Sequence, residues 1–183
     1  MIRSFLERVR GGEVCPPRKP LSKIAWSWLG AFIGIYLVAI LSRLTGSDLQ
    51  DSLFLVGSFG ASAVLIYGAP EAKFAQPRNL LGGHIVSAVI GVTVYQYLAL
   101  DVALLGALAV SISIVAMHFT RTLHPPGGAT ALIAVIGSAE VHDLGYQFVL
   151  TPIASGAFVM LMVALVVNNL SSNPKRHYPR YWL

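Results

Sequence analysis

Charged side chains are scarce in this chain. Asp, Glu, Lys and Arg make up 11% of its 183 residues and 55% of the residues are hydrophobic, whereas about 25% charged residues are usual in a soluble domain. This composition excludes an ordinary soluble domain and indicates an all-α integral membrane protein, with the lipid bilayer as its first expected partner. The chain is too short for separate domains, so residues 1–183 are expected to form one.

Cysteine and the common catalytic motifs are also missing. Cys15 is the single cysteine, which rules out an internal disulfide framework and a multi-cysteine metal site. The five histidines do not form an HExxH motif, and the chain has no GxSxG elbow or phosphate-loop lysine. We therefore expect no enzyme activity, no cofactor and no metal. A metal site built from His118, His124 and Glu71 is the alternative that these motifs leave open.

Long and short apolar segments alternate along the chain. The segments long enough to span a bilayer cover residues 24–44, 80–100, 102–118 and 147–169. Shorter segments, broken by glycine and serine, lie at about 53–69 and 127–138. The expected organisation is an N-terminal cytoplasmic segment 1–23, a membrane region 24–170 and a cytoplasmic tail 171–183.

Small residues recur at four-residue spacing in the long segments. They form the sets Gly30 and Gly34; Gly83, Ser87 and Gly91; and Ala103, Ala107 and Ser111. Each set lies on one face of its helix, where small residues allow close helix packing. These faces also make a homo-oligomer an expected partner.

The stretch from Arg121 to Ala131 breaks the apolar pattern most sharply. Pro125 and Pro126 forbid a continuing helix, and the glycines and Thr130 that follow suit the start of a new one. Such a start exposes unpaired backbone N–H groups, which attract anions. The stretch therefore predicts an anion site at the N-terminus of a half-helix.

A short internal repeat links the two halves. Gly60-Ala61-Ser62-Ala63 matches Gly128-Ala129-Thr130-Ala131, and at the same offset Ser87 falls on Ser155. Each copy lies in the short segment between two long ones. Three segments per half is an odd number, so the halves would have opposite orientations. The pattern predicts six membrane segments as two inverted three-helix repeats.

Charge gives a second view of this topology. The net charge of +5 is compatible with nucleic acid, but the cations crowd the ends and loops, so an orientation signal explains them better and no nucleic-acid partner is expected. With a cytoplasmic N-terminus and six crossings, every cation except Arg43 lies inside. Asp48, Asp51, Asp101, Glu140 and Asp143 lie outside. We expect a multi-pass protein of the inner (plasma) membrane with both termini in the cytoplasm.

Three blocks of sequence resemble a known family. His124-Pro125-Pro126 followed by Gly-Gly-Ala-Thr is similar to the signature of the HPP family of integral membrane proteins. Phe59 to Ala63, Ala75 to Asn79 followed by Gly82-Gly83-His84, and the tail His177-Tyr178-Pro179 resemble its other blocks. The family is commonly described as having four transmembrane helices. Members in chloroplasts and cyanobacteria have been linked to nitrite transport, so the resemblance implies a transporter for a small anion.

The candidate binding residues combine the two short segments with nearby cations. They are Ser58, Gly60, Ala61, Ser62, Arg78, Arg121, His124, Gly127, Gly128, Ala129 and Thr130. Backbone N–H groups and hydroxyls would replace water around the anion, and Arg78 and Arg121 would supply positive charge. The alternatives are that the small residues only allow tight packing and that the arginines only set orientation.

The histidines allow two interpretations. A histidine beside a membrane cavity can titrate near neutral pH and couple a proton to an anion, or it can bond to backbone carbonyls beside a kink. We leave both open for His124 and favour the structural role for His84. The overall expectation is a secondary transporter or channel for a small monovalent anion such as nitrite. The alternative is a non-transporting membrane scaffold or ligand sensor.

Overall fold

The computed structural model describes residues 14–44 and 57–183, and its regular elements are all helical over these ranges. The helices are α1 (Leu21–Leu44), α2 (Gly57–Gly68), α3 (Pro77–Tyr97), α4 (Val102–Phe119), α5 (Pro125–Ile136), α6 (Ala139–Leu144) and α7 (Val149–Leu170). Single 3-10 turns lie at Lys73–Ala75 and Pro174–Arg176. The expectation of an all-α protein is confirmed.

Four of these helices, α1, α3, α4 and α7, are long and apolar enough to cross a membrane. The short helix α5 has 12 residues, about 18 Å at 1.5 Å per residue, and the described part of α2, Gly57–Gly68, has the same length. A bilayer core is about 30 Å thick, so neither α5 nor the described part of α2 reaches across it. The long–short–long order is present twice, but six full crossings are not confirmed.

The second short helix begins earlier than expected. It starts at Pro125 rather than Gly127, and it ends at Ile136 rather than residue 138. The first helical position needs no N–H partner and favours a φ near −65°, so proline initiates a helix there as readily as it interrupts one further along. Of the other expected short segment, 53–69, residues 53–56 lie outside the described residues.

The helices pack as two groups that exchange a member. Helix α5 packs against both α3 and α4, which also contact each other, whereas α1 packs against α2 and α7. The third helix of each sequence half therefore packs with the first two helices of the other half. Helix α7 is interrupted at Thr151, whose φ of −133° and ψ of 118° are not helical.

Two of the three small-residue faces lie in contacts within the chain. A Cβ atom added to Gly30 would lie 2.8 Å from Tyr67 Cδ1, and one added to Gly34 would overlap the Tyr67 hydroxyl, so these glycines allow α1 to pack against the Tyr67 ring of α2. A Cβ atom on Gly91 would lie 2.6 Å from the Ala131 carbonyl oxygen of α5. Close packing of these faces is possible because glycine has no side chain beyond a hydrogen atom.

The third small-residue face lies elsewhere. Ala103, Ala107 and Ser111 are exposed, and α4 instead buries the face that carries Gly106 and Ala109. Helix α4 is small and apolar on several sides, so the spacing of its small residues did not decide which side meets the other helices.

One end of the bundle collects the basic segments. Lys19 Nζ donates to the Gly68 carbonyl, and Arg176 donates to the Lys23 carbonyl. Arg78 donates to the Thr120 carbonyl across the same end. These contacts bring the segment before α1, the α2–α3 loop, the α4–α5 connection and the C-terminal tail together. The described basic residues at this end are Arg18, Lys19, Lys23, Lys73, Arg78, Arg121, Lys175, Arg176 and Arg180.

The opposite end carries acidic residues. Asp101 caps α4 through the N–H groups of Ala103 and Leu104, and the α6 region with Glu140 and Asp143 packs near the end of α3, where the Tyr95 and His142 rings stack at 3.7 Å. Arg43 closes α1, which starts at the basic end. Apart from Arg43, and from Glu71, which pairs with Lys19 at the basic end, the described charges therefore separate along the bundle as the orientation argument expects. Asp48 and Asp51 lie outside the described residues.

The C-terminus of α2 is held by side chains from distant parts of the chain. Its last turns form a π-helix, whose terminal carbonyl groups lack partners within the helix. Asn168 Nδ2 donates to the Ile66 carbonyl and Arg176 Nη2 to the Tyr67 carbonyl, at 2.9 and 2.8 Å, and Lys19 Nζ donates to the Gly68 carbonyl at 3.0 Å. Two of these donors are cations, which the negative end of a helix favours.

Candidate functional site

The short helices meet beside α3, and polar side chains gather at that point. Ser58 and Ser62 are four residues apart on α2 and so share one face. His84 lies seven residues into α3, about 10 Å from the start of that helix. His124 immediately precedes α5, and Thr130 lies within it. We call Ser58, Ser62, His84, His124 and Thr130 the central polar chain.

The central polar chain is joined by hydrogen bonds from end to end. Ser62 Oγ lies 2.8 Å from His84 Nε2 and 2.8 Å from His124 Nε2. His84 Nδ1 lies 2.7 Å from Thr130 Oγ1, and that oxygen lies 2.8 Å from Ser58 Oγ. The Ser62 hydroxyl therefore links the two imidazole rings, and Thr130 links His84 to Ser58.

The ends of the central polar chain rest on backbone carbonyls. His124 Nδ1 lies 2.8 Å from the Phe74 carbonyl oxygen in the α2–α3 loop. At the other end, Ser58 Oγ lies 3.1 Å from the Pro126 carbonyl oxygen, within hydrogen-bond reach. All hydrogen-bonding side-chain atoms of these five residues thus have partners, as buried polar groups require.

The central polar chain is sealed from solvent. Each of its five side chains is at most 1% exposed. The ring of Phe59 covers one side of His84 at a centroid distance of 5.1 Å, and the two imidazole centroids lie 5.0 Å apart. Polar groups this deep in an apolar bundle are costly, and within membranes they commonly mark substrate or proton pathways.

The start of α5 differs from the expected nest of free N–H groups. Pro125 and Pro126 have no N–H, and the Gly127 N–H donates to the His124 carbonyl at 2.8 Å. Thr130 is the sixth residue of α5, beyond its first turn, and its hydroxyl lies 3.4 Å from the Pro126 carbonyl. Any ligand at this point would therefore meet hydroxyl and imidazole groups rather than the backbone donors at the start of α5.

The structure divides the glycines and alanines of the predicted site. A Cβ atom on Gly127 would lie 2.8 Å from the Gly83 carbonyl oxygen, so Gly127 allows α5 to approach α3. A Cβ atom on Gly60 would meet nothing within 4 Å, and one on Gly128 would make only an ordinary contact at 3.6 Å. Ala61 and Ala129 are exposed. Gly60, Ala61, Gly128 and Ala129 therefore do not line the central polar chain.

The two arginines of the predicted site lie at the basic end of the bundle. Arg78 donates through Nη2 to the Thr120 carbonyl at 2.9 Å. Arg121 is exposed and has a φ of 60°. It occupies the left-handed position that ends α4, because the Thr122 N–H donates to the Met117 carbonyl at 2.9 Å in the pattern of a Schellman motif. Neither arginine contacts the central polar chain.

The central role of His84 is the main feature that sequence reasoning missed. We expected this ring to bond to backbone carbonyls, but its two nitrogens bond to the hydroxyls of Ser62 and Thr130. Its signal in the sequence was a histidine inside an otherwise uncharged spanning segment, which alone indicates a functional position. His124 combines both expected interpretations, since Nδ1 bonds to a carbonyl and Nε2 faces Ser62.

The residues of the alternative metal site lie apart. His118 is exposed on α4, and Glu71 pairs with Lys19 at 3.4 Å. Within residues 14–44 and 57–183, no three His, Cys, Asp or Glu side chains come close enough together to hold a metal ion.

Comparisons with known proteins agree with this architecture. Residues 16–179 match the family described as "HPP, transmembrane region". Two proteins of Dictyostelium discoideum, each described as a transmembrane protein, are 50% and 49% identical over 97% and 94% of this chain. This chain spans 57% and 60% of the length of those relatives. No solved structure matches it.

The fold and the buried chain of hydroxyls and imidazoles define an all-helical, multi-pass membrane protein. Four helices long enough to span pack with two short helices, and the short helices contribute Ser58, Ser62 and Thr130 to the central polar chain. With the match over residues 16–179, the protein belongs to the HPP family of transmembrane proteins.

Proposed function

We propose that this protein carries a small monovalent anion such as nitrite across the plasma membrane, as a secondary transporter or channel. The observation that supports the proposal is the central polar chain, which lies where the two short helices meet. Ser58 and Ser62 belong to the α1–α2–α7 group, whereas His84 and Thr130 belong to the α3–α4–α5 group, with His124 directly before α5. Hydrogen bonds at 2.8 Å cross between these groups.

An anion would bind where these hydrogen bonds open. If the two groups part, the hydroxyls of Ser58, Ser62 and Thr130 and the imidazole N–H groups lose partners. A small anion can accept hydrogen bonds from these donors in their place. The described part of the chain places no lysine or arginine in contact with this point. A single negative charge therefore suits the site better than a divalent anion.

The exchanged helix packing supports the inverted-repeat arrangement. Helix α3 packs with α4 and α5, and α7 packs with α1 and α2, so each half gives its third helix to the other. A twofold repeat places both exchanges in equivalent positions. In this arrangement the short helices enter the membrane without spanning it alone, and their inner ends meet, as in transporters with broken helices.

Anion flux is the decisive experiment. Purified protein in proteoliposomes is expected to accelerate nitrite uptake over protein-free liposomes. Thr130→Val keeps the shape and removes a hydroxyl whose bond to a charged ligand is worth about 1.5–3 kcal/mol, so nitrite affinity should fall roughly tenfold or more. Thr93→Val is the control, because Thr93 bonds to Tyr146 near the other end of α3. Uptake no faster than in protein-free liposomes would overturn the proposal.

The proposed orientation places both termini in the cytoplasm. In a Cys15→Ala background, a cysteine at Lys175 should react with an impermeant thiol reagent only from the cytoplasmic side. A cysteine at Asp101 should react only from outside. Both positions are exposed, so accessibility does not limit labelling. External labelling of the cysteine at position 175 would contradict this topology.

A membrane scaffold or ligand sensor that does not transport is the second candidate. The feature that favours it is that the hydrogen-bonding groups of the central polar chain pair with one another and with two carbonyls, as in a network that only fixes the helix packing. A homo-oligomer remains part of either proposal. It would use outer helix faces, since Gly30 and Gly34 pack against Tyr67 inside the chain.

A further inference from the structure

The protons of the central polar chain can be assigned by counting donors and acceptors. The Phe74 carbonyl oxygen only accepts, so His124 Nδ1 carries a proton and donates to it. In a neutral His124 ring Nε2 then has no proton and accepts from the Ser62 hydroxyl. Because Ser62 has only that one proton, its oxygen accepts from His84 Nε2. When both rings are neutral, the protons on their nitrogens and on Ser62 therefore have only one possible placement.

The same counting of donors and acceptors places the protons at the other end of the central polar chain. A neutral His84 that donates through Nε2 accepts at Nδ1, so Thr130 donates to it. Thr130 has then used its proton, and its oxygen accepts from Ser58. In this state every hydroxyl points in the same direction along the chain, toward His124.

One added proton fits without moving any heavy atom. If it binds His84 Nδ1, that nitrogen donates to Thr130 at 2.7 Å, Thr130 turns to donate to Ser58 at 2.8 Å, and Ser58 turns to donate to the Pro126 carbonyl at 3.1 Å. The links from His84 through Ser62 to His124 stay as they were. The Pro126 carbonyl thus gives the last hydroxyl a second acceptor that only the protonated state needs.

The Ser62 hydroxyl can pass the charge between the rings. If His124 is the cation, its Nε2 donates to Ser62, Ser62 donates to His84 Nε2, and His84 Nδ1 donates to Thr130. All donors remain paired. A second proton would leave the Ser62 hydroxyl without an acceptor and would place two cations 5.0 Å apart. The hydrogen bonds of the central polar chain therefore accommodate one extra proton and no more.

Other ionisable groups near these rings do not contact them. In the elements packed against the central polar chain, Tyr67 donates to the Met160 carbonyl, Glu71 pairs with Lys19, and Arg78 bonds to Thr120. Of the remaining ionisable residues of these elements and their connections, Tyr95 is half-buried and stacks on His142, and the others are exposed: Lys73, Tyr97, Asp101, His118 and Arg121. Within the described ranges, the only titratable side chain that faces His84 is thus His124, and the only one that faces His124 is His84.

We propose that the central polar chain is a binding site for one proton, shared by His84 and His124, and that the anion moves together with that proton. This inference rests on the proposed transport function. A lone imidazolium or a lone anion is costly in this apolar interior, whereas together they compensate each other. The protein would then act as an electroneutral symporter, with one proton and one monovalent anion taken from the same side and released together on the other.

The test combines flux with a direct titration. His84→Gln keeps an amide donor for Ser62 but cannot take up a proton, and His118→Gln is the matched control on an exposed histidine. Proteoliposomes with an alkaline interior should take up external nitrite faster than without the pH gradient, with one proton entering per nitrite above the protein-free background. His84→Gln should lose at least tenfold of this gradient-driven rate, and His118→Gln should keep it.

The titration distinguishes the proton site from transport itself. ¹⁵N NMR of imidazoles in the full chain in nanodiscs should show uptake of one proton distributed over two rings. His84→Gln should confine titration to one ring, and Ser62→Ala, which removes the link, should end the sharing. Nitrite uptake that ignores the pH gradient, or a His84→Gln variant that still follows it, overturns the symport. Rings that stay neutral until the protein unfolds overturn the proton site. If the rings take up one proton but neither the unmodified protein nor any variant transports nitrite, the transport function and the symport are overturned, and the proton site stands.

Discussion

Two adjacent glycines in α5 should respond to alanine in opposite ways. A Cβ atom on Gly127 would lie 2.7 Å from Ser87 Oγ and 2.8 Å from the Gly83 carbonyl oxygen, whereas one on Gly128 would come no closer than 3.6 Å to Val110. The Ser87 hydroxyl can rotate away, but the Gly83 oxygen belongs to the backbone of α3. Gly127→Ala therefore has to push two helices apart.

The magnitude follows from two opposing contributions. Overpacking a tight contact typically costs about 1–3 kcal/mol, whereas alanine in place of a helical glycine restores about 0.5–1 kcal/mol through chain entropy. Gly127→Ala should therefore lose up to about 2 kcal/mol of stability, and Gly128→Ala should gain about 0.5–1 kcal/mol. The separation would also stretch the 2.7 Å bond between His84 and Thr130.

Thermal unfolding of the detergent-purified variants measures the first effect, and nitrite flux in proteoliposomes measures the second. We expect Gly127→Ala to melt at a lower temperature and to transport more slowly, with Gly128→Ala at or above the unmodified protein in stability. Equal melting temperatures for the two variants would refute the close approach of α5 to α3 at Gly127.

Two further predictions concern the basic end of the bundle. Burial lowers the pKa of the Arg176 guanidinium. Arg176→Ala should cost about 1.5–3 kcal/mol, because it removes the hydrogen bond to the Tyr67 carbonyl. The exposed neighbour variant Lys175→Ala should stay within about 0.5 kcal/mol of the unmodified protein in the same unfolding assay, and similar losses in both variants would contradict this. Arg121→Gly should raise stability by about 1 kcal/mol, because glycine adopts a φ of 60° without strain. A lower melting temperature of this variant would contradict the backbone strain at Arg121. Lower nitrite flux in a variant that is stable would indicate that the arginine serves transport rather than folding.

Much of the fold was predictable because hydrophobic length is a strong signal. Four segments long enough to span emerged within a few residues of the helices observed, and the charge separation between the two ends followed from the basic loops. The start of α5 was displaced because Pro125, which was expected to interrupt a helix, occupies the first position of a new one. Which face of α4 is buried depends on the neighbours of that helix, and spacing along one segment does not contain this information.

The candidate site was predictable in its hydroxyls and less so in its other groups. The repeat pointed to Ser62 and Thr130, which the structure brings to opposite nitrogens of His84. The repeat also pointed to Gly60 and Gly128, where an added Cβ atom would meet no close neighbour. Which glycine of a pair touches a neighbour depends on the rotation of the helix. That rotation is set by tertiary packing and does not follow from the motif.

The anchoring of α2 bears on the movement that the proposed transport requires. Its C-terminal carbonyls are bonded to Lys19, Asn168 and Arg176, so this end is fixed to the α1–α2–α7 group and its neighbouring segments. Its first turns are bonded across to the other group through Ser58 and Ser62. A rocking motion between the groups would have to break the bonds of these two serines and shift the contacts between α3 and α7.

Those serine bonds are the ones that report the protonation state. In the neutral chain Ser62 donates to His124 and Ser58 donates to Thr130; one added proton turns the Ser58 hydroxyl to the Pro126 carbonyl, whose oxygen lies 3.1 Å away. The Ser58 proton still bridges the two short helices, because Pro126 belongs to α5, but it has changed its acceptor, and the Ser58 oxygen now accepts from Thr130. Protonation and opening thus act on the same few hydrogen bonds between α2 and its neighbours. This shared dependence is the physical requirement for coupling a proton to an anion.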